Sequence, residues 1–246
     1  MIRILVNFLE YVLNNLYRDR LYPRFYVLET VARVPYFAFT SVLHLYESMG
    51  WWRKADWIKV HFAESWNELH HLLITEELGG DRYWIDRFVA HMGAFFYYWI
   101  LVFVYMLSPR SAYYFTQLVE EHAYHTYDEF LKDYGEQLKA QPAPQVAINY
   151  YRNGDLYMFD EFQTSHPPQE RRPKIENLYD VYVAIRDDEM EHVKTMVACQ
   201  QPDAQATFES PHSPEAQVPE ANSNAIDEST DKLAQEATEK ETVKMS

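Results

Sequence analysis

Apolar residues recur three and four positions apart through most of residues 1–200, in long stretches without Gly or Pro, and this spacing predicts an almost wholly helical chain. At the start, Ile2, Leu5, Leu9, Val12, Leu13 and Leu16 share one face, with Arg3, Asn7, Glu10 and Asn14 away from it. That pattern predicts an amphipathic helix over residues 1–17, which can face a core or lie on lipid with Arg18, Arg20 and Arg24 near anionic headgroups. It does not read as a cleavable signal, because Asn and Glu interrupt the apolar positions and no small-residue cleavage site follows. Residues 88–107 carry no Asp, Glu, Lys or Arg and are long enough to cross a bilayer. Their aromatic pairs and His91, and the lack of a second such segment, favour instead an apolar helix over 85–107 lying in the plane of one leaflet. Between about 135 and 176 the runs Q-P-A-P, R-N-G-D and H-P-P-Q-E-R-R-P predict a long connection between helices.

Composition divides the chain near residue 200. Residues 201–246 hold ten acidic residues against three lysines and only one aromatic, Phe208, so seven of the fifteen net negative charges lie there. Such a segment cannot bury enough apolar surface to offset the entropy of ordering, and it reads as an acidic disordered tail behind a domain of residues 1–200. The net charge of −15 opposes a phosphate backbone, which argues against nucleic acid as a partner. Six Gly and no phosphate-loop string argue against a nucleotide fold, and the single Cys199 excludes an intrachain disulfide and multi-thiolate metal sites.

Two E-x-x-H pairs lie on helical stretches: Glu68 with His71 in N-E-L-H-H-L, and Glu189 with His192 in R-D-D-E-M-E-H. A spacing of three puts carboxylate and imidazole on one helix face, where both can reach one metal ion. One such pair is weak evidence, since ten His in an acidic chain meet a Glu three residues upstream by chance; a third pair, Glu209 and His212, sits beside Pro211 in the tail. The signal strengthens because Glu29 and Glu120 lie in two further apolar stretches, where a lone buried carboxylate would cost several kcal/mol. Glu, Glu-x-x-His, Glu and Glu-x-x-His from four helices is the ligand set of a di-iron carboxylate centre in a helix bundle. Oxygen ligands with one imidazole per metal suit iron or manganese.

In that order, L-E-T, N-E-L-H-H-L, E-E-H-A-Y-H-T-Y and R-D-D-E-M-E-H resemble the four iron-binding motifs of the alternative oxidases, membrane-associated di-iron quinol oxidases. The likeness covers residues 22–200 and is greatest to their plastid terminal oxidase branch, including its cyanobacterial members; A-I-N-Y-Y-R-N-G-D-L-Y-M-F-D-E-F-Q-T shares it. The resemblance implies an all-α, ferritin-like four-helix bundle with two added membrane-surface helices. It implies two Fe ions held by Glu29, Glu68, His71, Glu120, Glu189 and His192. His122 stands where mitochondrial-type members carry a third consecutive Glu, and Glu121 competes with Glu120 as ligand. The same correspondence gives Tyr127 as a redox-active tyrosine, Arg24, Leu28 and Thr126 as quinol-binding residues, and His44 and Asp188 as hydrogen-bonding groups behind the ligands. The amino-terminal regulatory Cys of many plant mitochondrial members has no counterpart.

The implied reaction is oxidation of two plastoquinols by one O2, yielding two waters without proton pumping. It would occur at the cytoplasmic or stromal face of a thylakoid or plasma membrane. The implied partners are plastoquinol, O2 and the lipid surface, with a homodimer as one assembly. A di-iron hydroxylase or oxygenase acting on a quinone or acyl lipid would use the same ligands, and a non-redox iron-binding membrane protein is the remaining alternative.

Overall fold

In the computed structural model, the described residues are 11, 15–18, 20–51, 54–154 and 172–201. Most of the amphipathic segment 1–17, part of the connection before 172 and the tail beyond 201 lie outside them. Seven helices are described: α1 (Leu21–Ala32), α2 (Val34–Ser48), α3 (Ala55–Glu77), α4 (Trp84–Leu107), α5 (Pro109–Lys139), α6 (Gln145–Asn153) and α7 (Leu178–Cys199). No strand occurs among the described residues; an isolated bridge joins Pro142 to Asn177.

α1 and α2 are nearly one helix. Pro35 has no N–H to give to a carbonyl one turn back, which breaks the ladder, while Arg33 keeps helical angles (φ −64°, ψ −25°) and carries the direction through. α3 ends where Gly79 takes φ +83°, and at Gly80 a Cβ would lie 2.7 Å from the Tyr22 carbonyl, so no larger residue fits without movement. α7 begins at a capping box in which Asn177 accepts from the Tyr179 and Asp180 amides and Asp180 accepts from the Asn177 amide.

Contacts fix the helix directions. Glu29 and Tyr36 of α1–α2 meet His71 and His61 of α3 respectively, so α3 returns antiparallel. α4 then runs parallel to α1–α2: Asp86 pairs with Arg20, Gly93 nears Val31, and Tyr105 stacks on Phe39. That crossover allows α5 to descend again, and α7 packs antiparallel to it, with Gln200 reaching Gln117 and Tyr182 meeting Phe130. The result is a four-helix bundle of α1–α2, α3, α5 and α7, with α4 laid along its outside.

α4 buries Asp86, Ala90, Leu101 and Tyr105 against the bundle. Its other side is apolar and open, with Phe95, Phe96, Trp99, Ile100, Phe103 and Leu107 each more than half exposed. It is the one helix, among the described residues, long and apolar enough to cross a membrane. Because α4 packs along α1–α2, the geometry favours a helix held beside the bundle over a lone span.

The connection expected from 135 to 176 begins later than the sequence pattern indicates, and it contains a helix. Gly135 lies inside α5, where a Cβ would come within 3.2 Å of the Tyr179 ring, so this glycine permits close approach of α5 to α7 and does not end the helix. α6 follows, and its first free amides, Gln145 and Val146, each donate to Glu77 at the end of α3 at 2.8 Å. This cap orients α6 so that Tyr150 and Tyr151 are buried.

Candidate metal centre

The four bundle helices bring six buried side chains to one layer: Glu29 from α1, Glu68 and His71 from α3, Glu120 from α5, and Glu189 and His192 from α7. They form two overlapping sets. Glu29, Glu68, His71 and Glu189 place ligand atoms within 4.8 Å of one another, as do Glu68, Glu120, Glu189 and His192. Glu68 and Glu189 belong to both sets, Glu29 with His71 to one end and Glu120 with His192 to the other. His71 Nδ1 lies 3.3 Å from Glu189 and 3.7 Å from Glu29, and His192 Nδ1 lies 2.9 Å from Glu68. Two positions with shared carboxylates and separate end ligands match a two-metal site.

A test of that fit lies in the hydrogen bonding. Both oxygens of Glu68 and of Glu189, one oxygen each of Glu29 and Glu120, and His71 Nδ1 are buried without a well-aligned hydrogen bond. Buried polar atoms are ordinarily paired, and so many clustered exceptions fit a centre built to receive cations.

Behind these groups a hydrogen-bonded layer fixes orientation. Asp188 Oδ2 contacts His71 Nε2 at 3.2 Å and accepts from Asn67 at 2.9 Å and from the Tyr151 hydroxyl at 2.9 Å. That arrangement turns His71 Nδ1 toward the cluster, as a carboxylate behind a metal-binding imidazole does. Asn67 also donates to Tyr150 at 2.8 Å. The Tyr127 hydroxyl donates to Glu29, and the Tyr36 hydroxyl donates to Glu120 Oε1 at 2.8 Å. Aromatic clusters close both ends of the layer. Phe25, Tyr127, Phe130 and Tyr182 lie at the Glu29 end, and Tyr36, Phe39, Trp57, Tyr105 and Tyr113 at the Glu120 end.

The alternative oxidase family model matches residues 1–201. The chain belongs to the alternative oxidase family. Among its relatives in this family, the Arabidopsis thaliana protein named ubiquinol oxidase 4, chloroplastic/chromoplastic, is 66% identical over 202 residues, which cover 82% of this chain and 57% of that one. The Glycine max mitochondrial ubiquinol oxidase 2 is 34% identical over 68% of this chain and 44% of its own length. The Nicotiana tabacum mitochondrial ubiquinol oxidase 1 is 31% identical over 76% and 48%. The chain thus spans about half the length of these relatives. The much higher identity to the chloroplastic protein places it on the plastid side of the alternative oxidases.

Against the expectations drawn from the family motifs, the structure brings all six Glu and His residues together. Glu120 enters the cluster and Glu121 does not: Glu121 is half-buried and accepts from Gln117 at 2.7 Å. Asp188 stands behind His71. His44 does not stand behind any ligand. It lies on the solvent face of α2, its side chain 60% exposed and 4.0 Å from Glu47, because Val42 and Leu43 take the inward positions of that turn. A buried imidazole at the Glu120 end is supplied instead by His61, which contacts Glu64 at 2.9 Å and the Tyr113 hydroxyl at 2.8 Å. Its mark in the sequence is His-x-x-Glu, the reverse of the Glu-x-x-His order of the two pairs above. Arg24 and Leu28, one turn apart on α1, are half-buried; Thr126 is buried beside Tyr127 on α5, near His122 at 3.4 Å.

Without a cation, protons hold the cluster. Burial and the nearby Glu68 and Glu189 raise the Glu29 carboxyl well above its usual range, and burial with Glu189 and Glu68 does the same to Glu120. Burial pulls the two imidazoles down, but contacts with Asp188 and Glu189 at His71, and with Glu189 and Glu68 at His192, outweigh it and raise both well above normal. Burial likewise pushes Glu189 up, and the two imidazoles overcome this and hold it at about 2. The protonated forms of Glu29, Glu120, His71 and His192 are thus favoured, and a metal ion must compete with protons for these groups. Ferrous loading is expected to acidify a weakly buffered solution, and affinity should rise with pH by up to about tenfold per unit for each proton released. Chelator competition at two pH values measures this slope; a flat profile would contradict it.

Proposed function

We propose that the chain binds two iron ions in this cluster and oxidises two plastoquinols with one O2, giving two waters without proton pumping. The observation that carries this reading is the pair of overlapping four-ligand positions sharing Glu68 and Glu189. In this assignment Glu29 and His71 would serve one ion, Glu120 and His192 the other, and Glu68 and Glu189, common to both sets, would serve both. Four carboxylates offset the charge of two Fe(II), and the oxygen-rich donor set suits iron. Bound iron would supply O2 affinity and one-electron steps that side chains alone lack.

The residues of the chain provide everything around that chemistry. Arg24, Leu28 and Thr126 receive the quinol head: the guanidinium and the hydroxyl meet its oxygens, and Leu28 packs on its ring. Tyr127 lies next to Thr126 and already donates to Glu29, so a proton leaving the quinol side has a path through this phenol into the carboxylate layer. Asp188 keeps His71 in one orientation, and the buried aromatic clusters exclude water from the layer.

The outer face of α4 supports attachment to one leaflet, since large exposed apolar patches mark membrane or partner contacts. A quinol dissolved in that leaflet then needs no aqueous step to reach Arg24. The chloroplastic name of the 66% identical relative supports a plastid membrane as the location.

The experiment is oxygen uptake by iron-loaded protein given a short-chain plastoquinol, run under labelled O2. Quinol-dependent uptake with the label in water is expected. Absence of uptake overturns the oxidase reading, and label in the quinone makes the protein an oxygenase.

A further inference from the structure

Each of two antiparallel elements carries a glutamate followed by a tyrosine seven residues later: Glu29 and Tyr36 on α1–α2, Glu120 and Tyr127 on α5. Seven residues is close to two helical turns, so glutamate and tyrosine share a face, and Arg33 preserves that face across the Pro35 break. Because the elements run in opposite directions, each tyrosine comes level with the other's glutamate. Tyr127 donates to Glu29, and Tyr36 donates to Glu120 Oε1. The two E-x-x-H helices, α3 and α7, complete the same pseudo-twofold arrangement, since Glu68 and Glu189 serve both metal positions.

We propose that Tyr36 is a second redox-active tyrosine, acting through Glu120 at the opposite end of the centre from Glu29 and Tyr127. The inference rests on the di-iron oxidase reading and goes beyond it. A phenol is not required for packing there, since Phe would fill the same space; what the hydroxyl adds is a proton held 2.8 Å from a carboxylate oxygen. Loss of an electron makes a phenol strongly acidic, so oxidation inside a protein needs a base already in line, and Glu120 is that base. The ring lies 5.4 Å from His192 and is fully buried. Behind it, His61, Tyr113 and Tyr105, joined by hydrogen bonds of 2.8 and 2.7 Å, are also fully buried, which shields a radical from solvent.

The electron count gives this phenol a task. Converting O2 to two waters takes four electrons and four protons, and two ferrous ions supply two of the electrons. Tyr36 and Tyr127 would supply the other two: each O–H bond breaks, the electron passing to oxygen and the proton following it there by way of Glu120 or Glu29, leaving two neutral phenoxyl radicals. Two more protons, taken up from the surrounding water, complete the two water molecules. Two quinols then return four electrons and four protons; two protons restore the phenols and two replace those consumed. O2 is thus fully reduced before a second quinol arrives, and no peroxide need leave.

The test is a single turnover without quinol: reduced, iron-loaded protein is mixed with O2, frozen, and its tyrosyl radical measured by electron paramagnetic resonance. The signal is expected to fall by about half in Tyr36→Phe and in Tyr127→Phe and to vanish in the double variant, with peroxide release rising in that order. Iron content and helical circular dichroism are read on the same samples. Should Tyr36→Phe lose iron, 3,5-difluorotyrosine at position 36 keeps the hydroxyl and must change the hyperfine splitting. An undiminished signal in iron-replete Tyr36→Phe, an unchanged splitting with the fluorinated residue, or no tyrosyl signal in wild type overturns the proposal. Wild type lacking quinol-dependent oxygen uptake overturns the oxidase reading itself; uptake with an unaltered radical overturns only the role of Tyr36.

Discussion

Glu68→Ala and Glu189→Ala are each expected to remove both iron ions and to lower quinol oxidation by about a thousandfold or more. These two carboxylates are the only members common to both four-ligand sets. Losing either would leave each position with two ligands from its own end and one shared carboxylate, and three carboxylates no longer balance the charge of two adjacent divalent ions. The end ligands differ: Glu29→Ala and Glu120→Ala each strip one position directly and should leave partial occupancy of the other. Glu121→Ala is the control. It is adjacent in sequence but outside the cluster, bonded to Gln117, and should keep both ions and full turnover. Iron per chain by elemental analysis separates the three groups, and oxygen uptake ranks them. Thermal melts add an independent measure, because metal stabilises only the chain that binds it. Removing one of four crowded buried carboxylates should leave the metal-free protein no less stable, so the loss must appear as the absence of the iron-dependent rise in melting temperature. Wild-type iron content in either shared-ligand variant would break the ligand assignment.

The cluster of six Glu and His side chains was legible in the sequence because these residues obey helical spacing. Two E-x-x-H pairs and two buried Glu need only the periodicity of a helix to converge, and the bundle brings them together. Spacing could not choose between Glu120 and Glu121, which differ by about 100° around the α5 axis; packing against the facing helices decides it. His44 shows the opposite failure. Its place behind the ligands was expected from the family correspondence alone, yet one residue of rotation put Leu43 in the core and His44 in solvent. α6 was hidden because it is nine residues long between turn sequences, too short for periodicity to emerge, and its form depends on Glu77 capping it from a distant helix. The groups behind the ligands were the least visible. Tyr36, His61 and Tyr151 are three aromatic rings among many, and only their hydrogen bonds to Glu120, Glu64 and Asp188 set them apart.

Tyr127→Phe should keep both iron ions and a normal helical signal, yet lose most quinol oxidase turnover and release part of the O2 as peroxide. The ring is 2% exposed, stacks on Phe25 at 5.0 Å and meets Tyr182 at 5.9 Å, and Phe preserves all of that packing. What disappears is one hydroxyl, the donor to Glu29. A missing hydrogen bond of this kind costs about 1–3 kcal/mol of stability when it leaves a buried acceptor unsatisfied. Iron coordinating that carboxylate offsets part of the cost, so folding and metal content should survive. Catalysis should not, because under the proposed function Tyr127, bonded to Glu29 and next to Thr126, passes a proton and an electron from the quinol. Its counterpart Tyr36 donates to Glu120 at the far end and has no contact with that pocket, so it cannot substitute in steady turnover even where it still yields a radical in a single reaction. The loss should therefore fall on kcat, with the KM for quinol little changed, since Arg24, Leu28 and Thr126 remain to bind the head. A raised KM at unchanged kcat would make Tyr127 a binding residue. Full turnover without peroxide, in protein holding both irons, would reduce it to core packing.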